Sequence, residues 1–331
     1  MVFAMIKRFS SLAVRSMAFA KFVSLLERLQ PQRANLLRVL TYHRVDEPDA
    51  HPELYPGLIS ATPAAFDEQM EYLSTRFRVL SMTEAMDALN RRIEIPPKAV
   101  LVTFDDAYVD FAEHAWPIMR RYGIPATLFV PTGFPDHPER VFWWDRLHDA
   151  LRTTDVERLD TPLGAFVLKT AARRQQCFRR LRKHVKSLPH AEAMAFVDDT
   201  AKKLHARPAQ NRVLSWAELR RLGGEGVQLG AHTRNHPMMD RIDADTARSE
   251  LSGSLADLER EIGSVLPIFA YPSGHANGDL AAALKQQGIT LGFTTRRGIN
   301  NLNRLDPLLL RRINVGRQTN VALLRAQLAS W

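Results

Sequence analysis

Seven short apolar runs, rich in β-branched residues, recur along the chain at 37–43, 99–104, 126–130, 227–232, 268–271, 290–294 and 310–315. Most are continuously apolar rather than alternating, the pattern of strands covered on both faces. Stretches with helical spacing lie between several of them: 66–73 and 83–89 before the second run, 109–122 after it, 216–221 before the fourth, then 246–262 and 280–287. Glycine and proline mark the joints, as at Gly123–Ile124–Pro125, Gly223–Gly224, Gly226, Pro267 and Gly288. Strand–helix alternation across about 280 residues predicts a parallel α/β fold. Seven strands favour a distorted (β/α) barrel over an open doubly wound sheet. The rhythm breaks at 134–213, which reads as a helical insertion in one strand-to-helix connection. Such connections stand over the catalytic end of a barrel and shape its groove. A helical subdomain with no part in catalysis is the competing reading.

Composition changes this picture little. The 331 residues are 45% hydrophobic and 24% charged, ordinary values for a globular chain. A single cysteine, Cys177, excludes an internal disulfide framework. Charge is more informative through its placement. Of the net +9, +6 falls in residues 1–40, where seven cations face Glu27 alone. Residues 1–35 combine those cations with Met5, Phe9, Leu12, Phe19, Val23 and Leu26 at helical spacing, which predicts a basic amphipathic helix. It either packs on the domain or lies on an anionic membrane surface. Neither a cleavable leader nor a membrane span of 18–20 uncharged residues is recognisable, so the expected location is the cytoplasm or the cytoplasmic face of the membrane. A second basic run, Arg173 to Lys186, reads as a solvated helix face; no nucleic-acid motif accompanies it, and no nucleic-acid partner is expected.

Two segments carry chemistry. Thr103–Phe104–Asp105–Asp106 ends the second predicted strand, and His232–Thr233–Arg234–Asn235–His236 ends the fourth. Neighbouring residues of a strand face opposite ways, so Asp105 and Asp106 share a site only if the chain breaks there, at Ala107–Tyr108. Two adjacent carboxylates repel unless a cation joins them; an N-cap for the following helix is the plain alternative. Four residues of strand span about 13 Å, whereas two imidazoles on one ion have their ligating atoms within about 4.2 Å. The chain must therefore curl after His232 if both histidines bind one metal. An Asp-His-His site leaves a position for water, and zinc there brings the water pKa toward about 7.

These paired motifs resemble those of the polysaccharide deacetylase family, the NodB-homology fold also called carbohydrate esterase family 4. The resemblance covers roughly residues 36–317 apart from the insertion. It implies metal-dependent removal of N-acetyl groups from an acetylated glycan, with Asp106, His232 and His236 as ligands of one divalent ion, zinc in the first instance, and Asp105 as general base. O-deacetylation, hydrolysis of a non-sugar amide, and non-catalytic glycan binding are the alternatives. Three departures stand out. Ala107 replaces the usual glycine. The third motif appears as Ala270–Tyr271–Pro272–Ser273–Gly274, without its arginine. The late Leu-x-His motif that supplies the general acid has no match at Leu310–Arg311–Arg312–Ile313. The start Tyr42–His43–Arg44–Val45 is similar to the exopolysaccharide, or poly-N-acetylglucosamine, deacetylase branch, which implies His43 as general acid; a structural histidine bonding strand-end carbonyls is the competing role. By the same resemblance a backbone N–H at Ser273 serves the oxyanion. Tyr108 and Tyr271 are further candidates near the substrate, and Trp143, Trp144 and Phe293 are candidates for stacking on a sugar ring, with core packing as the competing reading.

Overall fold

The computed structural model describes residues 23, 25, 34–207, 210–263 and 265–329. The predicted N-terminal amphipathic helix therefore lies almost wholly outside the described residues. Among the described residues, no helix is long and apolar enough to cross a membrane.

All seven predicted strands form. They are β1 (Leu36–Tyr42), β2 (Ala99–Phe104), β3 (Thr127–Val130), β4 (Gln228–Ala231), β5 (Ile268–Ala270), β6 (Leu291–Arg297) and β7 (Leu310–Asn314). They pair in the order β1-β7-β6-β5-β4-β3-β2, and β2 returns to β1, so seven parallel strands close a barrel. Closure explains the apolar runs. One set of side chains fills the barrel, including Leu37, Val39, Leu101, Phe129, Ile268, Phe293 and Leu310. The alternate set, including Leu40, Tyr42, Val102, Phe104, Leu128 and Phe269, packs under the helices against residues such as Phe66, Met70 and Leu251. Both faces are dry, so neither can be polar.

Helices α1 (Pro63–Arg76), α2 (Met82–Asn90), α3 (Trp116–Arg121) and α4 (Trp143–Thr153) are followed by α5 (Ala171–Val185), α6 (His190–Lys203), α7 (Trp216–Gly224), α8 (Ala244–Ile262), α9 (Gly278–Gln286) and α10 (Val321–Ala329). Their starts are written locally. Ser81 with Glu84 and Ser215 with Glu218 form reciprocal capping boxes, and the side chains of Thr62 and Asp243 cap α1 and α8. One expectation changes: the single helix read at 109–122 is a five-residue π turn, Phe111–Ala115, followed by the short α3. Pro117 has no N–H for the carbonyl four residues earlier, and the chain takes a wider turn before it.

The segment between β3 and α7 is not purely helical. It carries α4, α5 and α6 together with a hairpin of Arg158–Thr161 and Gly164–Val167. The four-residue hairpin strands, mostly exposed on one side, are too short to show a period of two above the surrounding polar residues.

Candidate metal centre

The barrel's inward-facing register runs past the last apolar layer into polar residues. Continuing by twos from Leu101, Leu310 and the inward Gly230 leads to Asp105, Arg312 and His232. Tyr42 pairs with Phe104 in the β1–β2 register, and the Asp105 N–H donates to the Tyr42 carbonyl at 3.0 Å. His43 thus leaves the barrel beside Asp105. One cavity of about 260 Å³ is lined by His43, Asp105, Asp106, His232, His236 and Ser273, together with Tyr55, Trp143, Trp144 and others.

The strand does break at the acidic pair. Asp106 and Ala107 take φ of 72° and 51°, the left-handed region. That kink turns Asp106 toward the side Asp105 already faces. It also gives the reason a glycine suits position 107: a Cβ in this region costs about 1–2 kcal/mol, which Ala107 bears.

The chain also curls after His232. Thr233 and His236 adopt φ of 64° and 56°, and the Thr233 hydroxyl accepts the His236 N–H at 2.9 Å. Glu250 on α8 accepts the N–H groups of Arg234 and Asn235 at 2.8 and 2.9 Å, while Asp257 pairs with the Arg234 side chain. The turn is thereby bolted to α8, and the two imidazole centroids stand 4.8 Å apart.

Asp106 Oδ1 lies 3.4 Å from His232 Nε2 and 3.2 Å from His236 Nε2. One ligand atom from each of the three side chains lies within 4.8 Å of the others. Donors at about 2.0–2.1 Å on tetrahedral angles around one zinc would be roughly 3.3 Å apart, so these separations suit a shared ion. Chemistry agrees with geometry. His232 Nδ1–H donates to the Ala270 carbonyl at 2.7 Å, which in the neutral ring leaves the Nε2 lone pair facing Asp106; against burial, the two carboxylates raise the His232 pKa. Burial lowers the pKa of His236 and favours its neutral, ligating form. Asp106 Oδ1 is buried without a hydrogen-bond donor. An orphaned carboxylate oxygen between two imidazole nitrogens is what a small cation would satisfy.

Arg312 is the residue that sequence reasoning missed. It donates from Nη1 and Nη2 to the two carboxylate oxygens of Asp105 at 2.8 and 2.7 Å, and from Nε to the Thr294 carbonyl at 2.8 Å. Burial pushes Asp105 upward, but this guanidinium outweighs it and holds the carboxyl below its ordinary value. The third motif lacks an arginine; β7 brings one to the same carboxylate from 207 positions along the chain. Its only sequence signal is a cation on the inward parity of the strand, two residues after the inward Leu310.

Three candidates are placed elsewhere. Tyr108, Tyr271 and Phe293 do not line the cavity; all are buried. Tyr271 donates to the Leu308 carbonyl, and Phe293 packs on Phe129 inside the barrel. Tyr108 donates to Asp145 Oδ2 at 2.9 Å and accepts from Trp144 Nε1 at 2.9 Å. Asp145 also accepts the Tyr55 N–H at 2.6 Å, and burial pushes its carboxyl up to about 7. Trp144 stands edge-on to His236 with centroids 5.1 Å apart. Ser273 reaches the cavity on a turn closed by the Gly274 N–H to the Tyr271 carbonyl at 2.7 Å. Gly274 has φ of 72°, and a Cβ there would fall 1.9 Å from Thr295 Oγ1, so only glycine fits.

Comparison with known proteins points the same way. The polysaccharide deacetylase family model matches residues 92–292. The chain is 19% identical over 271 residues to the putative polysaccharide deacetylase YxkH of Bacillus subtilis, covering 82% of this chain and 68% of that one. It is 22% identical over 285 residues to the poly-beta-1,6-N-acetyl-D-glucosamine N-deacetylase of Escherichia coli, covering 84% of this chain but only 37% of that protein. The structure of the Streptococcus pyogenes deacetylase PplD in complex with acetate superposes with a TM-score of 0.61 at 21% identity, covering 89% of this chain and 99% of that one. His43 and Arg312 both lie outside the span of the family model, His43 directly after β1 and Arg312 on β7, the strands that complete the barrel at either end of the sequence. Because that model covers more than half of the 331 residues, and the closed parallel barrel is shared with PplD, the chain belongs to the polysaccharide deacetylase family.

Proposed function

We propose that this protein is a metal-dependent N-deacetylase of an amino-sugar-containing polysaccharide or lipid-linked glycan, releasing acetate and leaving a free amine. The observation that carries this reading is the convergence of Asp106, His232 and His236 within 4.8 Å, beside an ionised Asp105. Asp106, His232 and His236 would hold the ion. When bound, it supplies a Lewis acid that makes water nucleophilic near neutral pH and polarises the acetyl carbonyl. The remaining work belongs to side chains. Asp105 accepts the proton of the attacking water, and Arg312 keeps that carboxylate charged and fixed in orientation. His43, on the neighbouring strand end, gives a proton to the leaving nitrogen, which departs poorly as an amide anion. The Ser273 N–H is the candidate donor to the oxyanion. The E. coli relative named above supports an N-acetylated glycan as the substrate class.

Metal analysis coupled to acetate release from N-acetylated and O-acetylated oligosaccharides tests the reading. The expected result is about one divalent ion per chain, loss of activity on chelation, recovery with zinc, and preference for N-acetyl substrates. Release that persists in metal-free protein, or is confined to O-acetyl esters, overturns it. Glycan binding with no acetate released by fully loaded protein would identify a binding module instead.

A further inference from the structure

One wall of the cavity over Asp106 is not made by the barrel. Arg182 and Lys186, one helical turn apart at the end of α5, close it from the insertion. The Lys186 ammonium donates to Ser273 Oγ at 3.3 Å, over the turn that lines the opposite side. Arg182 donates to the Tyr55 hydroxyl at 2.9 Å, and its guanidinium lies 5.4 Å from the Tyr55 ring centroid. Both partners are neutral. Among the described residues neither cation has a carboxylate within ion-pair distance.

Among the described residues other cations of the insertion lack an acid partner too, Arg173, Arg179 and Lys183 among them, but none of these lines the cavity. Arg146, Arg152, Arg158, Lys169 and Lys203 each pair with an acid of the same segment. Of the cavity's own acids, Asp105 is paired with Arg312, and Asp106 lies 3.4 and 3.2 Å from the two imidazoles. Two cations therefore line the cavity without an ion-pair partner, and the carboxylate whose charge reaches Lys186, Asp106, is the one the triad would commit to the ion. Desolvation lowers the pKa of Lys186 and Arg182 lowers it further, while Asp106 raises it, so the two cations oppose each other's charge. An anion lying between them would reverse that opposition. A guanidinium beside an ammonium is also the chemistry used to grip carboxylate and phosphate oxygens.

We propose that the glycan substrate carries an anionic oxygen group, a carboxylate or a phosphate, which Arg182 and Lys186 hold while the acetamido group lies at the Asp106–His232–His236 centre. The inference rests on the deacetylase reading above and adds the charge of the substrate to it.

The test uses the full chain and two matched pairs of probes. One pair sets an oligosaccharide alternating N-acetylglucosamine with glucuronic acid against a neutral N-acetylglucosamine oligomer of equal length. The other sets N-acetylglucosamine 1-phosphate against its methyl glycoside. Acetate release gives kcat/KM, and calorimetric binding to metal-free protein gives a readout that needs no turnover. At least one charged probe should exceed its neutral counterpart by about tenfold or more in both readouts, as expected for hydrogen bonds between charged partners. The winning pair distinguishes a carboxylate from a phosphate. Arg182→Gln with Lys186→Gln should bring the ratio to about one, and Lys186→Arg should restore most of it. Arg179→Gln with Lys183→Gln removes the same charge from exposed positions of α5 and should leave the ratio as in the wild type. Equal handling of charged and neutral probes by the wild type, or an unchanged ratio in the double Arg182/Lys186 variant, overturns the proposal. Acetate release without charge preference defeats this inference alone. Charge-selective binding with no acetate from loaded protein supports this inference and defeats the deacetylase reading, and absence of binding to every probe overturns both.

Discussion

The cavity has two halves of different construction. The barrel half presents Asp105, Asp106, His43, His232 and Arg312 from the ends of short parallel strands. With the exception of His43, these side chains are almost fully buried, and each is fixed by backbone continuity with a dry core. The insertion half presents Trp143, Trp144, Arg182 and Lys186 from helices joined to the barrel by apolar packing, as of Phe142 on Tyr108, and by the Asp145 bridge to Tyr55 and Tyr108. Strand ends in a closed barrel cannot shift without opening the hydrogen-bond ladder, so they suit groups whose positions must hold to fractions of an ångström. Helices outside the strand ladder can change length and charge while leaving it intact, which suits the choice of substrate.

Substitutions can break this division. The largest effect should come from the barrel half: Asp106→Ala or His232→Ala should abolish both stoichiometric metal binding and acetate release, read by elemental analysis and an acetate assay. Retention of either metal or activity would remove the triad from the proposal. His43→Ala should keep the metal yet lose about 10²–10⁴-fold in kcat, the range for a general acid. Near-full turnover would assign His43 a structural role instead.

Arg312→Met leaves Asp105 buried and unpaired, and urea denaturation should show a loss of about 3–5 kcal/mol. In the wild type, Asp105 is held below its ordinary pKa. Its pairing therefore contributes fully above about pH 4 and is lost as pH falls through the depressed value. Without Arg312, the largest influence opposing burial is lost, and Asp105 moves upward. The acid limb of kcat/KM should move to higher pH in Arg312→Met, and Arg312→Lys should move it less. An unshifted limb would separate Arg312 from the base.

The insertion half should respond differently. Asp145 is pushed up to about 7, so between about pH 4 and 7 the folded protein holds a proton that the unfolded chain has released. Stability should decline with rising pH across that window. Asp145→Asn should flatten the decline, as followed by Tm against pH, while the ratio of bound metal to protein stays unchanged. The smallest effect is expected at Trp143, half-buried in the cavity wall. Trp143→Ala should raise KM by about three- to tenfold with kcat nearly constant, as for loss of one aromatic contact. A change confined to kcat would place Trp143 with the catalytic half.

The two halves also differed in how far the sequence revealed them. Strand runs, capping boxes and the two ligand motifs are patterns within a few residues, and each was readable locally. A break beside the acidic pair followed from strand alternation, although it falls at Asp106–Ala107 rather than at Ala107–Tyr108, and the curl after His232 followed from the distance that a shared ion imposes. Arg312 was not readable this way, because nothing near position 312 marks its partner; only barrel closure between β1 and β7 brings it to Asp105. Tyr271 and Phe293 belong to the same class of information. Tyr271 lies on the outward parity of its strand and Phe293 on the inward, and both are consumed by packing.

The chain's own pattern thus determined the number of strands, the parallel barrel, and an acidic pair and two histidines able to share an ion, because these depend on short-range periodicity and spacing; the choice of Asp106 over Asp105 as ligand came from the family resemblance. Tertiary structure decided which cation steadies the acidic pair, which aromatics the core takes, and that a basic run expected on the solvated surface turns two of its members into the cavity. Those outcomes depend on which distant segments meet when the barrel closes, and no local window of sequence contains that information.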